Sequence, residues 1–192
     1  LSPPESDRPQ VTTEPSARIA AKASPLRHSP RLCSGEPPGN RVIVIGDSVI
    51  AATSSRYTDD MCEALVPLGW RVEVDAESGR FVEFGHQVLD QRLEAGWDAS
   101  VVLLGNNYRG SQSEYRDELA RMVDRLSPNP VVLLTVSEFE ESRQKVNEVI
   151  RELAAERDNV TIVDWATTTA ENDGLTGGDN LHLTNAGRRA LA

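Results

Sequence analysis

Five times along this chain a short strand-like run, rich in β-branched residues, is followed by a stretch with helical spacing. No other feature limits the possible folds as tightly. The runs are Val42-Ile43-Val44-Ile45, Trp70 to Val74, Val101 to Leu104, Val131 to Val136 and Val160 to Val163. Between them lie helical stripes: Tyr57, Met61, Leu65 and Leu68; Phe81, Phe84, Val88, Leu89 and Leu93; Tyr115, Leu119, Met122, Val123 and Leu126; Val146, Val149, Ile150 and Leu153. An irregular Thr/Gly-rich loop then leads to a last helix from Thr184 to Ala192. Apolar strands joined by helices, the second alternating with Arg71 and Glu73, predict an α/β three-layer sandwich, with a five-stranded parallel sheet in flavodoxin-like order.

Composition narrows the field. Residues 1–40 hold eight of the eleven prolines, with five basic and four acidic residues and no apolar periodicity. They read as a Pro-rich linker or extension preceding one domain over 41–192. The domain carries 15 basic against 26 acidic residues. That balance argues against nucleic acid or an anionic membrane as a partner. The two cysteines have no metal-ligand spacing, and no motif asks for a metal or an organic cofactor. No apolar run approaches the roughly 18 residues of a membrane span.

In open parallel sheets, ligands bind beyond the carboxyl ends of the strands. Four polar blocks fall there. Gly46-Asp47-Ser48 follows the first strand, where a serine sits exposed on a tight turn and its N–H lies at a helix start. Asp and Ser also cap helices, and position alone admits both readings. Ser78-Gly79-Arg80 and Gly105-Asn106-Asn107 follow the second and third strands. Gly79 can present a backbone N–H and Asn107 a side-chain amide to a developing oxyanion, although each is also an ordinary turn residue. Asp179-Asn180-Leu181-His182 follows the last strand and pairs an imidazole with a carboxylate. Of the other histidines, His28 lies in the extension and His86 reads as a solvated helix position.

Taken together, the four blocks resemble the SGNH/GDSL hydrolase superfamily from Arg41 to the chain end. The resemblance implies Ser48 as nucleophile, His182 as general base and acid, and Asp179 as its orienting carboxylate. It implies an oxyanion hole of the Ser48 N–H, Gly79 and Asn107. Tyr108 stands where many members have Asp. The segments GDSV, VDAESGR, VVLLGNN, NVTIVDW and NLHLTNAG are similar to SGNH domains fused behind multi-helix membrane acyltransferases. That likeness implies a domain on the outer, periplasmic side of the cell membrane, tethered by an upstream membrane domain, with Leu1 marking an excised fragment. It implies an acylated donor, a glycan acceptor and transfer of a small acyl group. A stand-alone secreted esterase and a non-catalytic glycan-binding module are the competing readings.

Two further expectations follow. Arg80 and Arg109 flank the oxyanion residues and could grip an anionic acyl group or a sugar, Arg80 being favoured because it adjoins Gly79. Paired cysteines suit an extracytoplasmic domain, so a Cys33–Cys62 bridge is expected in preference to two free thiols.

Overall fold

The computed structural model describes residues 40–192 and, by backbone alone, residues 31–33. Strands β1 (Arg31–Cys33), β2 (Arg41–Gly46), β3 (Arg71–Ala76), β4 (Ala99–Leu103), β5 (Val131–Leu134) and β6 (Val160–Val163) form one sheet in the order β1-β3-β2-β4-β5-β6. The five strands from β2 to β6 are parallel, in the flavodoxin-like order that the alternation predicts. β1 lies within the stretch read as an extension and pairs antiparallel with β3, Leu32 opposite Glu73.

Helices cover both faces, which is why the inner strands read as unbroken apolar runs. α3 (Val82–Arg92), α4 (Gln112–Leu126) and α5 (Ser142–Ala155) form one layer, α4 packing against both neighbours. On the other face, α2 (Asp60–Leu65) packs against α7 (Asn185–Leu191). α1 (Ser48–Ala51) is a single turn at the end of β2. The stripes on α4 and α5 are buried, and Ile43, Val44, Ile45, Val72 and Leu103 fill the sheet centre. Asn147 of α5 is fully buried, accepting the Val136 N–H at 2.8 Å and donating to its carbonyl at 2.9 Å. It thus supplies the backbone pairing that β5 loses as it ends.

Three details differ from the sequence expectation. Tyr57 and Leu68 are 60% and 71% exposed, because α2 begins only at Asp60, after Asp59 in a left-handed turn, and ends before a 3-10 turn. The segment after β6 is not all loop. Asp164 caps α6 (Trp165–Glu171), and Trp165 is buried in the core. His86 is half-buried between α3 and α4, its Nε2 3.1 Å from Glu118, so its surface position is not a solvated one.

Cys62 is disulfide-bonded. Of Cys33, the chain's other cysteine, the backbone is described and the side chain is not. We propose the Cys33–Cys62 bridge. A thiol count of zero under denaturing, non-reducing conditions is expected; a count of two overturns it.

Candidate active site

The first block is built from a buried acid. Gly46 ends β2, and the Asp47 N–H donates to the Leu103 carbonyl at 3.2 Å, holding the turn against β4. Asp47 is fully buried and caps α1, its carboxylate accepting the Val49 N–H at 3.1 Å. The Asn106 amide reaches both carboxylate oxygens, at 2.9 and 3.1 Å. The cap takes the N–H of Val49 and not that of Ser48. Because α1 is one turn long, its dipole is small, and any help to an oxyanion comes from the N–H itself.

Burial pushes the Asp47 carboxyl up to about 6, against the pull of its bonds from Val49 and Asn106. A carboxyl raised above its ordinary 3.8 keeps its proton longer in the folded chain. The stability that this carboxyl contributes is therefore fully present below pH 4 and is lost as pH rises through 6. Relative to Asp47→Asn, the native protein should lose about 3 kcal/mol across that window, as urea unfolding at stepped pH would show. A pH-independent difference between the two proteins would remove this account.

The last block is a small closed turn. Thr176 bridges Leu183, and Gly177 donates to the His182 carbonyl at 2.7 Å. Asp179 Oδ1 accepts the N–H groups of Leu181 and His182 at 3.1 and 3.0 Å. Its Oδ2 lies 2.6 Å from His182 Nδ1. These bonds, led by the one to the ring, hold the Asp179 carboxyl down at about 2. Thr184 then caps α7, and Arg188 ties that helix to Asp60 at 3.0 Å. Gly187 permits the packing: a Cβ there would stand 2.8 Å from the Leu175 carbonyl carbon.

Ser48 and His182 come together on one cavity of about 300 Å³, with Ala51, Ala52, Tyr57 and Ser78 among its walls. Among the described residues, Ser48 Oγ makes no hydrogen bond to the imidazole; the two share the cavity. Gly79 adopts φ +74° and a Cβ would meet nothing within 4 Å, so the backbone conformation, and not crowding, calls for glycine. Asn107 donates one amide hydrogen to the Arg80 carbonyl at 3.2 Å. That bond orients the side chain and leaves its second hydrogen. Arg80 itself is bound to Glu77, lies over Phe84 and lines neither this cavity nor the next. Arg109 instead lines a neighbouring cavity of about 650 Å³, together with Asn107 and Leu181.

Sequence reasoning passed over two residues. Asn106 joins the serine turn to the β4 loop through Asp47. Arg143 is 3% exposed; it donates to the Gly105 carbonyl and, at 2.6 Å, to that of Tyr108, bracketing both asparagines. Its signal was available, since it precedes Val146 by three on the apolar stripe of α5. No cluster of three metal-ligating side chains occurs among the described residues.

Residues 44–190 match the GDSL-like lipase/acylhydrolase family. The chain is 25% identical over 150 residues to the O-acetyltransferase OatA of Staphylococcus aureus, an alignment covering 78% of this chain. It spans about a quarter, 23%, of that relative's length. Among solved structures, the C-terminal catalytic domain of Streptococcus pneumoniae peptidoglycan O-acetyltransferase A superposes with TM-score 0.59 at 20% identity, over 78% of this chain and 87% of that one. A mutant of Axe2, an acetyl-xylooligosaccharide esterase from Geobacillus stearmophilus, gives TM-score 0.64 at 19% identity, over 80% and 91%. The strand order, the serine turn after β2 and the match over residues 44–190 agree, and the chain belongs to the GDSL-like lipase/acylhydrolase family.

Proposed function

We propose that this domain moves a small acyl group, of acetyl or succinyl type, to or from a cell-envelope carbohydrate through an acyl-Ser48 intermediate. The observation carrying the proposal is the cavity that Ser48 and His182 share, with Asp179 bonded to the far side of the ring. Ser48 Oγ attacks the ester carbonyl while His182 Nε2 takes its proton. Asp179 holds Nδ1–H and steadies the imidazolium. The N–H groups of Ser48 and Gly79 and the second amide hydrogen of Asn107 receive the oxyanion. His182 then returns the proton to the departing oxygen, and the donor's acyl–oxygen bond breaks. A glycan hydroxyl, or water, gives its proton to His182 and attacks the acyl-serine, releasing Ser48. Ala51 and Ala52 leave room beside the serine for a short acyl chain.

Acyl transfer is supported by the likeness to the staphylococcal O-acetyltransferase, a glycan acceptor by the fold shared with the peptidoglycan O-acetyltransferase domain, and hydrolysis by the fold shared with the acetyl-xylooligosaccharide esterase. In the same proposal the domain works outside the cell membrane, joined to a membrane acyltransferase domain. No helix among the described residues is long and apolar enough to cross a membrane. The experiment is mass spectrometry of the protein quenched during turnover of a short-chain activated ester. One acyl group on the peptide containing Ser48 is expected; acylation elsewhere, or none together with no labelling by a fluorophosphonate, overturns the proposal.

A further inference from the structure

The larger cavity has a charge that the rest of the domain does not. Arg109, Arg143 and Lys145 line it against Glu140 alone, in a domain whose acidic residues outnumber its basic ones. Arg143 and Glu140 pair at 2.6 Å, so their charges cancel locally. Arg109 and Lys145 remain; among the described residues neither has a carboxylate within ion-pair distance, although Arg109 stands near enough to Glu140 to help hold its carboxyl down. Tyr108 and Phe139 add aromatic surface to the wall. At about 650 Å³ the space is of ligand size.

The cavity also adjoins the serine. Leu181 lines it, while the next residue, His182, lines the serine cavity. Asn107 and Asn106 line it as well, and Asn106 is bonded to the acid beside Ser48. A molecule seated there can therefore bring a hydroxyl to the acyl-serine from the side of the His182 turn. The aromatic walls suit the C–H faces of a sugar, and the Arg109 and Lys145 cations suit a carboxylate.

We propose that this cavity is the acceptor subsite and that Arg109 and Lys145 select a carboxylate-bearing glycan, an inference that rests on the acyl-Ser48 reading above. The acceptor hydroxyl oxygen forms the new ester bond, its proton passes to His182, and the bond from Ser48 Oγ to the acyl carbon breaks. The carboxylate takes no part in the chemistry and only holds the sugar.

The test uses 4-nitrophenyl acetate as donor and two matched acceptor pairs: cellobiuronic acid with cellobiose, and trigalacturonic acid with galactotriose. The native protein should acetylate the acidic member of each pair about tenfold more efficiently at low salt, a preference that shrinks as salt screens the charges. In the double variant Arg109→Gln, Lys145→Gln the ratio of acidic to neutral transfer should fall to about one. Equal transfer within each pair by the native protein, or an undiminished ratio in the double variant, overturns the subsite. Fluorophosphonate labelling separates the two failures. Labelled Ser48 with no acidic preference sinks the subsite alone; unlabelled Ser48 without turnover sinks the acyl-serine reading and the subsite with it.

Discussion

Ser48→Ala should leave a folded protein whose hydrolysis of a short activated ester has dropped at least about a thousandfold, to the level that binding and an oxyanion hole give alone. The fold should survive because the hydroxyl holds nothing together: among the described residues Ser48 Oγ has no hydrogen-bond partner. The turn is set instead by the Asp47 N–H on Leu103 and by the Asp47 carboxylate on Val49 and Asn106. Thermal unfolding within a degree or two of the native protein, together with lost turnover and lost acylation, is the expected outcome. Native turnover in the variant would remove Ser48 from the chemistry.

Asp179→Asn is the second large effect, and its sign follows from which oxygen does what. Oδ1 serves the backbone, taking the N–H groups of Leu181 and His182, and an asparagine carbonyl can keep both bonds. Oδ2 faces His182 Nδ1 at 2.6 Å, and an amide NH₂ there donates where the carboxylate accepted. The ring then carries its proton on Nε2, the nitrogen that in the proposed mechanism receives the one from Ser48. Turnover should fall on the order of a thousandfold at neutral pH with the turn intact, the behaviour of a wrong tautomer. Asp179→Ala would lose the backbone bonds as well and should also lower stability. Unchanged activity in the asparagine variant would mean that the imidazole works without this carboxylate.

β2 was legible because burial on both faces leaves no polar alternation to confuse it: Ile43, Val44 and Ile45 are each fully enclosed. The four blocks were legible because a parallel sheet places every strand end on one edge. α6 was not, since its Thr167-Thr168-Thr169 run has weak helix propensity and Trp165 forms the core contact that secures it. Tyr57 and Leu68 keep helical spacing with Met61 and Leu65, but spacing does not reveal the left-handed Asp59 that delays the helix. At the site, the side-chain commitments stayed hidden. Proximity to Gly79 favoured Arg80 over Arg109, yet Glu77, three residues earlier, is the nearer claimant to its guanidinium. The charge of Arg143 disguised a buried side chain that is satisfied by loop carbonyls.

β1 changes where this domain begins as a colloid. Without it, the outer backbone groups of β3 would form a bare sheet margin, open to strand addition from another copy. The antiparallel pairing of Arg31, Leu32 and Cys33 with Val74, Glu73 and Val72 occupies that margin. Three residues from a proline-rich stretch thus act as a selvedge for the sheet. Trimming the chain just before Arg31 and trimming it just after Cys33 are different operations, the second exposing the six-residue border of β3 where the first leaves the three-residue border of β1.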